Sequence, residues 1–307
     1  MTFAFTSARV PHHSRREEGG ETHERKQEHK SVMTAEVLSA LAVKDGDVVV
    51  DATYGRGGHS SALKKAAKIK LIALDADPST GSGQAQPVIE ANFGDLGKVL
   101  GAQKADKVLF DLGWNMTQLS SGRGFSFMYD EPLNMSYAVK PRSGFTAAEA
   151  LNEWSEETLA DVLFGYGEER YARRIAKAIA ARRKVQPFET TRELVEAVRD
   201  AVPAAYRRGR INPATKTFQA LRIAVNDELG ALKQGLSAAW EKLTPGGRIA
   251  VITFHSIEDR IVKRYFAALA KEGSGKLLYK KPLTPSAGEV KSNPASRSAK
   301  LRAIERI

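Results

Sequence analysis

The chain has 307 residues, 42% of them apolar, with 47 Lys+Arg against 36 Asp+Glu and no cysteine. This is a globular composition, long enough for two domains or one elaborate domain. The missing thiols exclude disulfides, thiolate zinc sites, iron–sulfur clusters and any cysteine nucleophile.

The net charge of +11 is concentrated. Residues 166–222 carry 14 Lys+Arg against 6 Asp+Glu, and residues 260–307 carry 12 against 3, so the rest of the chain is net acidic. Two basic blocks on an acidic body suit a polyanionic partner, nucleic acid first, although solvated helix faces would read the same way. No stretch approaches the roughly 18 apolar residues of a membrane span. The opening residues run into His12, His13, Arg15, Arg16, Glu17 and Glu18 without a long apolar core. That start makes a poor signal peptide, so a cytoplasmic protein without a membrane partner is expected.

In chain order, residues 1–28 are polar and Gly-interrupted and are expected to form a disordered tail. His12, His13, His23 and His29 lie in or beside it without partners at ligand spacing, so no metal site is expected. Val32, Val37, Leu38 and Leu41 predict an amphipathic helix from residue 32. Val48–Val50 reads as a buried strand, Ser60–Lys64 starts a helix, and Ile69–Leu74 is a second strand running into Asp75. Ser79–Pro87 is rich in Gly, Ser and Gln, so a crossover helix there is short or frayed. Val108–Phe110 is the next strand, and residues 120–145 read as loop. Helices follow at 147–154, 156–164, 168–183 and 191–201 with no strand between them. Pro213 opens a long helix over Ala214–Leu243. Arg248–Phe254 is an apolar strand, Ser256–Lys271 a helix, and Leu277–Tyr279 and Leu301–Ile307 are late strands. Alternation of strands and helices predicts a doubly wound α/β sheet, interrupted by an all-helical insertion.

Strand, then Gly55-Arg-Gly57-Gly58, then helix puts a glycine-rich turn at the carboxyl edge of the first strand, where open α/β sheets bind ligands. Asp75 follows 20 residues after Gly55, at the end of the next strand, the spacing of a carboxylate that grips ribose hydroxyls. A dinucleotide would want a third glycine where Ser61 stands. S-adenosylmethionine has no pyrophosphate and needs less, with Asp51 facing its amino-acid end. Both cofactors remain open on spacing alone. Asp111 ends a further strand at the same edge, and His59 and His255 lie just beyond strands there, each as suited to capping as to catalysis.

Several segments together resemble one family. They include Asp51-Ala-Thr-Tyr-Gly-Arg-Gly-Gly-His-Ser60, Arg123-Gly-Phe-Ser-Phe127, Tyr166-Gly-Glu-Glu-Arg170 and Asn212-Pro-Ala-Thr-Lys-Thr-Phe-Gln-Ala-Leu-Arg-Ile223. Phe254-His-Ser-Ile-Glu-Asp-Arg260 and Asn293-Pro-Ala-Ser-Arg-Ser-Ala-Lys-Leu-Arg302 continue the series. The chain is similar over residues 29–307 to the bacterial 16S ribosomal RNA cytosine-N4 methyltransferases, the RsmH or MraW family. It departs where Trp114-Asn-Met-Thr-Gln118 replaces the usual Val-Ser-Ser-Pro-Gln, and where Asn134 replaces Asp. The resemblance implies a Rossmann-like S-adenosylmethionine-dependent methyltransferase domain, residues 29–135 and 212–307, split by a helical substrate-recognition domain, residues 136–211. It implies methyl transfer to the exocyclic N4 of a cytidine in the decoding centre of the small ribosomal subunit. By motif, Gly57, Gly58, His59, Asp75, Phe93, Asp111 and Gln118 would contact the cofactor.

Without cysteine, covalent activation of a pyrimidine at carbon 5 is closed, whereas an exocyclic amine needs only positioning and proton removal. Asp111 is the expected acceptor on that amino group, with Asn115 second. Trp114, Phe125 or Phe127 would stack on a splayed base. Arg123, Arg297, Lys300 and Arg302, with the Arg170–Arg183 helix, would meet phosphates. A non-catalytic rRNA-binding assembly factor on the same fold, or a methyltransferase for another RNA, stays open as an alternative.

Overall fold

The structure is a computed structural model, described over residues 30–80, 86–113, 116–119 and 121–307. The expected tail, its histidines, Trp114 and Asn115 lie outside the described residues.

Thr34–Leu41 forms α1 and Val48–Asp51 forms β1, followed by α2 (Gly58–Ala66) and β2 (Lys70–Asp75). A 3₁₀ turn, Pro78–Thr80, and a three-residue strand, β3 (Val88–Glu90), flank the segment where a short crossover helix is expected, most of which lies outside the described residues. Next come α3 (Leu96–Leu100), β4 (Ala105–Asp111) and the short α4 (Met116–Leu119). The helical block holds α5 (Ala147–Glu153), α6 (Glu156–Gly167), α7 (Ala172–Arg182), α8 (Thr191–Ala201) and α9 (Ala204–Arg207). Then follow α10 (Thr215–Asn226), α11 (Glu228–Lys242), β5 (Leu243–Thr253), α12 (Ser256–Lys271), β6 (Gly275–Leu277), α13 (Ala287–Ser292) and β7 (Lys300–Arg306).

The long helix expected over Ala214–Leu243 is two helices. Asp227 breaks it in the left-handed region at φ 45°, a conformation Asp tolerates better than most residues. Side chains on both sides hold the break. Asn226 Nδ2 donates to the Met135 and Arg222 carbonyls at 2.7 and 2.9 Å, while its Oδ1 accepts the Tyr137 amide at 2.8 Å.

The sheet order is β3-β2-β1-β4-β5-β7-β6, with β1 to β5 mutually parallel and β7 antiparallel to both neighbours. Its central strands alternate sides with the pleat. Val50, Val108, Phe110, Ile249 and Val251 enter one core with α3, α11 and α12. Val49, Leu109, Ala250 and Ile252 enter the other with α1 and α2. Helices on both faces of a mostly parallel sheet give a Rossmann-like α/β fold. A third core, including Leu151, Leu163, Ile175, Phe188, Leu194 and Phe218, belongs to the helical block. It draws in Phe125, Leu133 and Met135 from the preceding loop and Leu221 and Val225 from α10, so this core runs beyond residues 136–211 on both sides. The caps are encoded locally: Thr146 with Glu149, and Thr190 with Glu193, form capping boxes at α5 and α8.

Candidate active site

Parallel strands bring their carboxyl ends to one edge. There Thr53, Asp75, Asp111 and Phe254, at or just past the ends of β1, β2, β4 and β5, line a cavity of about 800 Å³. The glycine turn forms its floor. Gly55 and Gly57 take φ of +56° and +72°, and a Cβ on Gly57 would collide with the Tyr54 ring. Gly57→Ala should therefore cost about 1–3 kcal/mol of stability, checked by thermal melting at matched pH; an unchanged melting temperature would count against a strained turn. The Gly55 amide donates to Asp75 Oδ2 at 2.8 Å and the Asp77 amide to Asp75 Oδ1 at 2.9 Å. Burial raises the Asp75 carboxyl above its ordinary value against these amide bonds.

Asp111 sits beside the turn. Its backbone amide donates to Thr53 Oγ1 at 2.6 Å, and its Oδ2 lies 3.3 Å from His59 Nε2. Burial alone would lower the His59 pKa, but the carboxylates of Asp111 and Asp51 raise it overall. Asp51, 1% exposed, accepts from Ser60 Oγ at 2.6 Å, and burial pushes its carboxyl up to about 6. A carboxyl whose folded pKa lies above its unfolded value of 3.8 favours the fold below that value and loses the advantage as pH rises through 6. Asp51→Asn should therefore gain roughly 2–2.5 kcal/mol on the wild type between pH 4 and pH 7, read from paired denaturant melts. A difference that stays flat with pH would count against a raised Asp51.

Phe93 lines the same cavity and meets Phe110 edge-on, ring centroids 6.0 Å apart, while Asn92 fixes its turn by accepting the Gly94 amide at 2.8 Å. Gln118 is buried in the wall. Asp111 Oδ1 and His59 Nδ1 are buried without a hydrogen bond among the described residues, the condition a polar ligand would relieve. An anchored carboxylate, an aromatic ring and unpaired polar atoms together fit a nucleoside-bearing cofactor.

Residues 26–307 match the MraW methylase family. The chain belongs to this family. The ribosomal RNA small subunit methyltransferase H of Heliobacterium modesticaldum is 43% identical over 310 residues, covering 91% of this chain and 98% of that protein. Its namesake from Synechococcus elongatus is 45% identical over 293 residues, covering 91% and 95%. Among solved structures, a putative rRNA-methylase from Clostridium thermocellum aligns over 91% of this chain and 99% of that chain at 13% identity, with a TM-score of 0.43, a likeness too loose to add to the topology. This MraW-family chain is an S-adenosylmethionine-dependent methyltransferase of Rossmann-like fold.

Of the residues expected to contact cofactor, Gly58, His59, Asp75, Phe93, Asp111 and Gln118 all line the cavity, and Gly57 caps α2 behind it. The expected RNA contacts divide. Phe125 and Phe127 reach the cavity; Phe125 is stacked on Tyr137 at 5.1 Å, and Phe127 meets Phe218 edge-on at 5.7 Å. Arg123 does not line it. Its guanidinium is spent on Asp77, Ser121 Oγ and the Tyr137 carbonyl, so it ties the loop rather than offering a free cation. Lys300 lies 3.5 Å from Asp259, whose carboxylate also holds Arg302 at 2.7 Å. Arg297 is exposed.

The MraW-family sequence conceals a second polar wall. Tyr137 Oη donates to Glu228 Oε1 at 3.0 Å, and the Arg222 fork donates to both Glu228 oxygens at 2.8 and 2.9 Å. Burial raises the Tyr137 pKa well above its ordinary value. His255 caps α12 through Nδ1, and Glu258 returns to the Phe254 amide at 2.9 Å. Among the described residues, no helix is long and apolar enough to cross a membrane.

Proposed function

We propose that this chain transfers the methyl group of S-adenosylmethionine to the exocyclic N4 of a cytidine in the 16S ribosomal RNA of the small subunit, in the cytoplasm. The observation that carries the reading is a single cavity in which Asp75 and Asp111 end the two strands that flank β1 in an MraW-family sheet, above a glycine turn. Relatives more than 40% identical are named ribosomal RNA small subunit methyltransferase H, and the chain covers nearly all of their length.

In this reading residues 29–135 and 212–307 are the methyltransferase domain, and residues 136–211 recognise substrate. Asp75 holds the ribose, Phe93 packs on the adenine, and Gly57, Gly58, His59 and Gln118 shape the remaining contacts. When bound, the cofactor supplies an electrophilic methyl group. Asp111 has the chemistry to accept a hydrogen bond from the amino group, which draws the nitrogen lone pair out of the ring, and then to take the departing proton. Phe125 and Phe127 supply an apolar wall for a base taken out of its stack. Trp114 is proposed as a further stacking partner. Arg297 is proposed to meet phosphate, with Lys300 turned to it from Asp259. The exposed Arg170, Arg173, Arg174 and Lys177 carry the basic block of the helical part to the same polyanion.

The test is direct. The protein is incubated with labelled S-adenosylmethionine and unmethylated small subunits, the RNA is digested, and the labelled nucleoside is identified. N4-methylcytidine is the expected product. Label on another base would sink the N4 assignment, and no transfer would favour an assembly factor.

A further inference from the structure

Four residues of α10, Thr215, Phe218, Gln219 and Arg222, recur at the i, i+3, i+4, i+7 spacing and all line the cavity. Arg222 is committed to Glu228, and Phe218 to the edge-on contact with Phe127. Gln219 differs, because the packing around it fixes which way its amide faces. The last carbonyls of α6 have no partner within their own helix. Gly167 lets this helix end approach α10 closely; a Cβ there would lie 2.5 Å from the Lys216 carbonyl oxygen. The Tyr166 carbonyl thereby comes within 3.0 Å of Gln219 Nε2. A carbonyl can only accept, so the amide nitrogen of Gln219 must face it and the oxygen must face away. No described residue engages Oε1.

We propose that Gln219 is a specificity-determining residue: its Oε1 accepts a hydrogen bond from the exocyclic amine of the substrate base, in the cavity that Asp111 also lines. This rests on the cytidine reading above. Cytosine places an N–H donor at position 4 and uracil places a carbonyl oxygen there. Uracil would set two acceptors against each other, and turning the Gln219 amide over to present its nitrogen would break the bond to Tyr166. An acceptor that the bound base shuts off from water and leaves facing another acceptor loses more than a missing hydrogen bond, so discrimination of roughly 10- to 100-fold is expected. Gln219 would thus orient the amine while Asp111 takes the proton.

The experiment measures binding of wild type and Gln219→Met to unmethylated small subunits carrying either C or U at the modified position. Wild type should prefer C by about tenfold or more, and Gln219→Met should bring the ratio to within about threefold with cofactor affinity close to wild type; its melting temperature falls in any case, because Met cannot donate to the Tyr166 carbonyl. A merely structural bond to Tyr166 would leave the C-to-U ratio at its wild-type value, which would overturn the proposal. So would a wild type with no preference. Should Gln219→Met fail to fold, Gln219→Asn decides, since it keeps the amide but draws it back by one methylene: a ratio brought to within about threefold supports the role and a wild-type ratio overturns it. Digestion of RNA treated with wild type separates the two layers. If N4-methylcytidine forms and Gln219→Met keeps the wild-type ratio, only the role of Gln219 falls. If no N4-methylcytidine forms, the cytidine reading falls and takes this role with it.

Discussion

Asp111→Asn is expected to lower methyl transfer to small subunits by roughly 100- to 10,000-fold, the range a positioned acid or base contributes. Asn keeps the size of the side chain and, through its backbone, the amide bond to Thr53 Oγ1 that fixes the end of β4. It removes the carboxylate beside His59 Nε2 and the capacity to hold a proton. The amino nitrogen of cytosine is flat because its lone pair is shared with the ring, so an approaching methyl group finds a poor nucleophile until an acceptor engages the N–H. Asp111 Oδ1, buried and without a hydrogen bond among the described residues, is available for that contact. Rate and cofactor affinity need measuring on the same variant, because Asp111 lines the cavity together with the glycine turn and Asp75. A rate within tenfold of wild type would remove Asp111 from the chemistry. A cofactor affinity that falls as far as the rate would make it a cofactor ligand alone.

The parts of the site legible in the sequence are those encoded by neighbours in the chain. A glycine turn after an apolar strand, and a carboxylate at the end of the next, announce a ligand edge because parallel strands must all finish on one side. Asp75 and Asp111 therefore meet the same cavity although 36 residues separate them in the sequence. The polar wall of Tyr137, Arg222 and Glu228 has no such local signature. Tyr137 and Glu228 are 91 residues apart, and only the break at Asp227 turns Glu228 back toward Arg222. That break has no local signature either, since α10 and α11 both carry helical patterns and Asn226 stabilises the kink through tertiary partners. Strand β3 is too short to show a period. Charge in the sequence is legible only as a total. Arg123 and Arg302 look like free cations in a basic sequence, but Asp77 and Asp259 neutralise them in the fold. Net charge reports how many cations there are, not which carboxylate each one faces.

Asp75→Ala should weaken S-adenosylmethionine binding by roughly 30- to 1,000-fold, read by calorimetry on the protein alone. The figure follows from losing one or two hydrogen bonds to a charged acceptor, each contributing about 1.5–3 kcal/mol. The carboxylate reaches the end of β2 already oriented, because the Gly55 and Asp77 amides hold its two oxygens. That preorganisation spares the cofactor the cost of arresting a free side chain. It also means that Ala deprives the glycine turn of an anchor, so part of the loss comes from a looser Gly55. Asp75→Asn separates the two effects. Its amide oxygen can still accept one backbone N–H, while its amide nitrogen faces the remaining donor and cannot accept from a ribose hydroxyl in the same pose. If the carboxylate grips ribose, the Asn variant should bind as weakly as Ala while melting closer to wild type. If Asp75 serves only the turn, cofactor affinity should follow the melting temperature across the two variants, and Asn should recover most of both. RNA binding supplies the control. The basic residues of α7 and Arg297 lie outside the cavity lining, so the affinity for small subunits without cofactor should stay within about twofold of wild type in either variant.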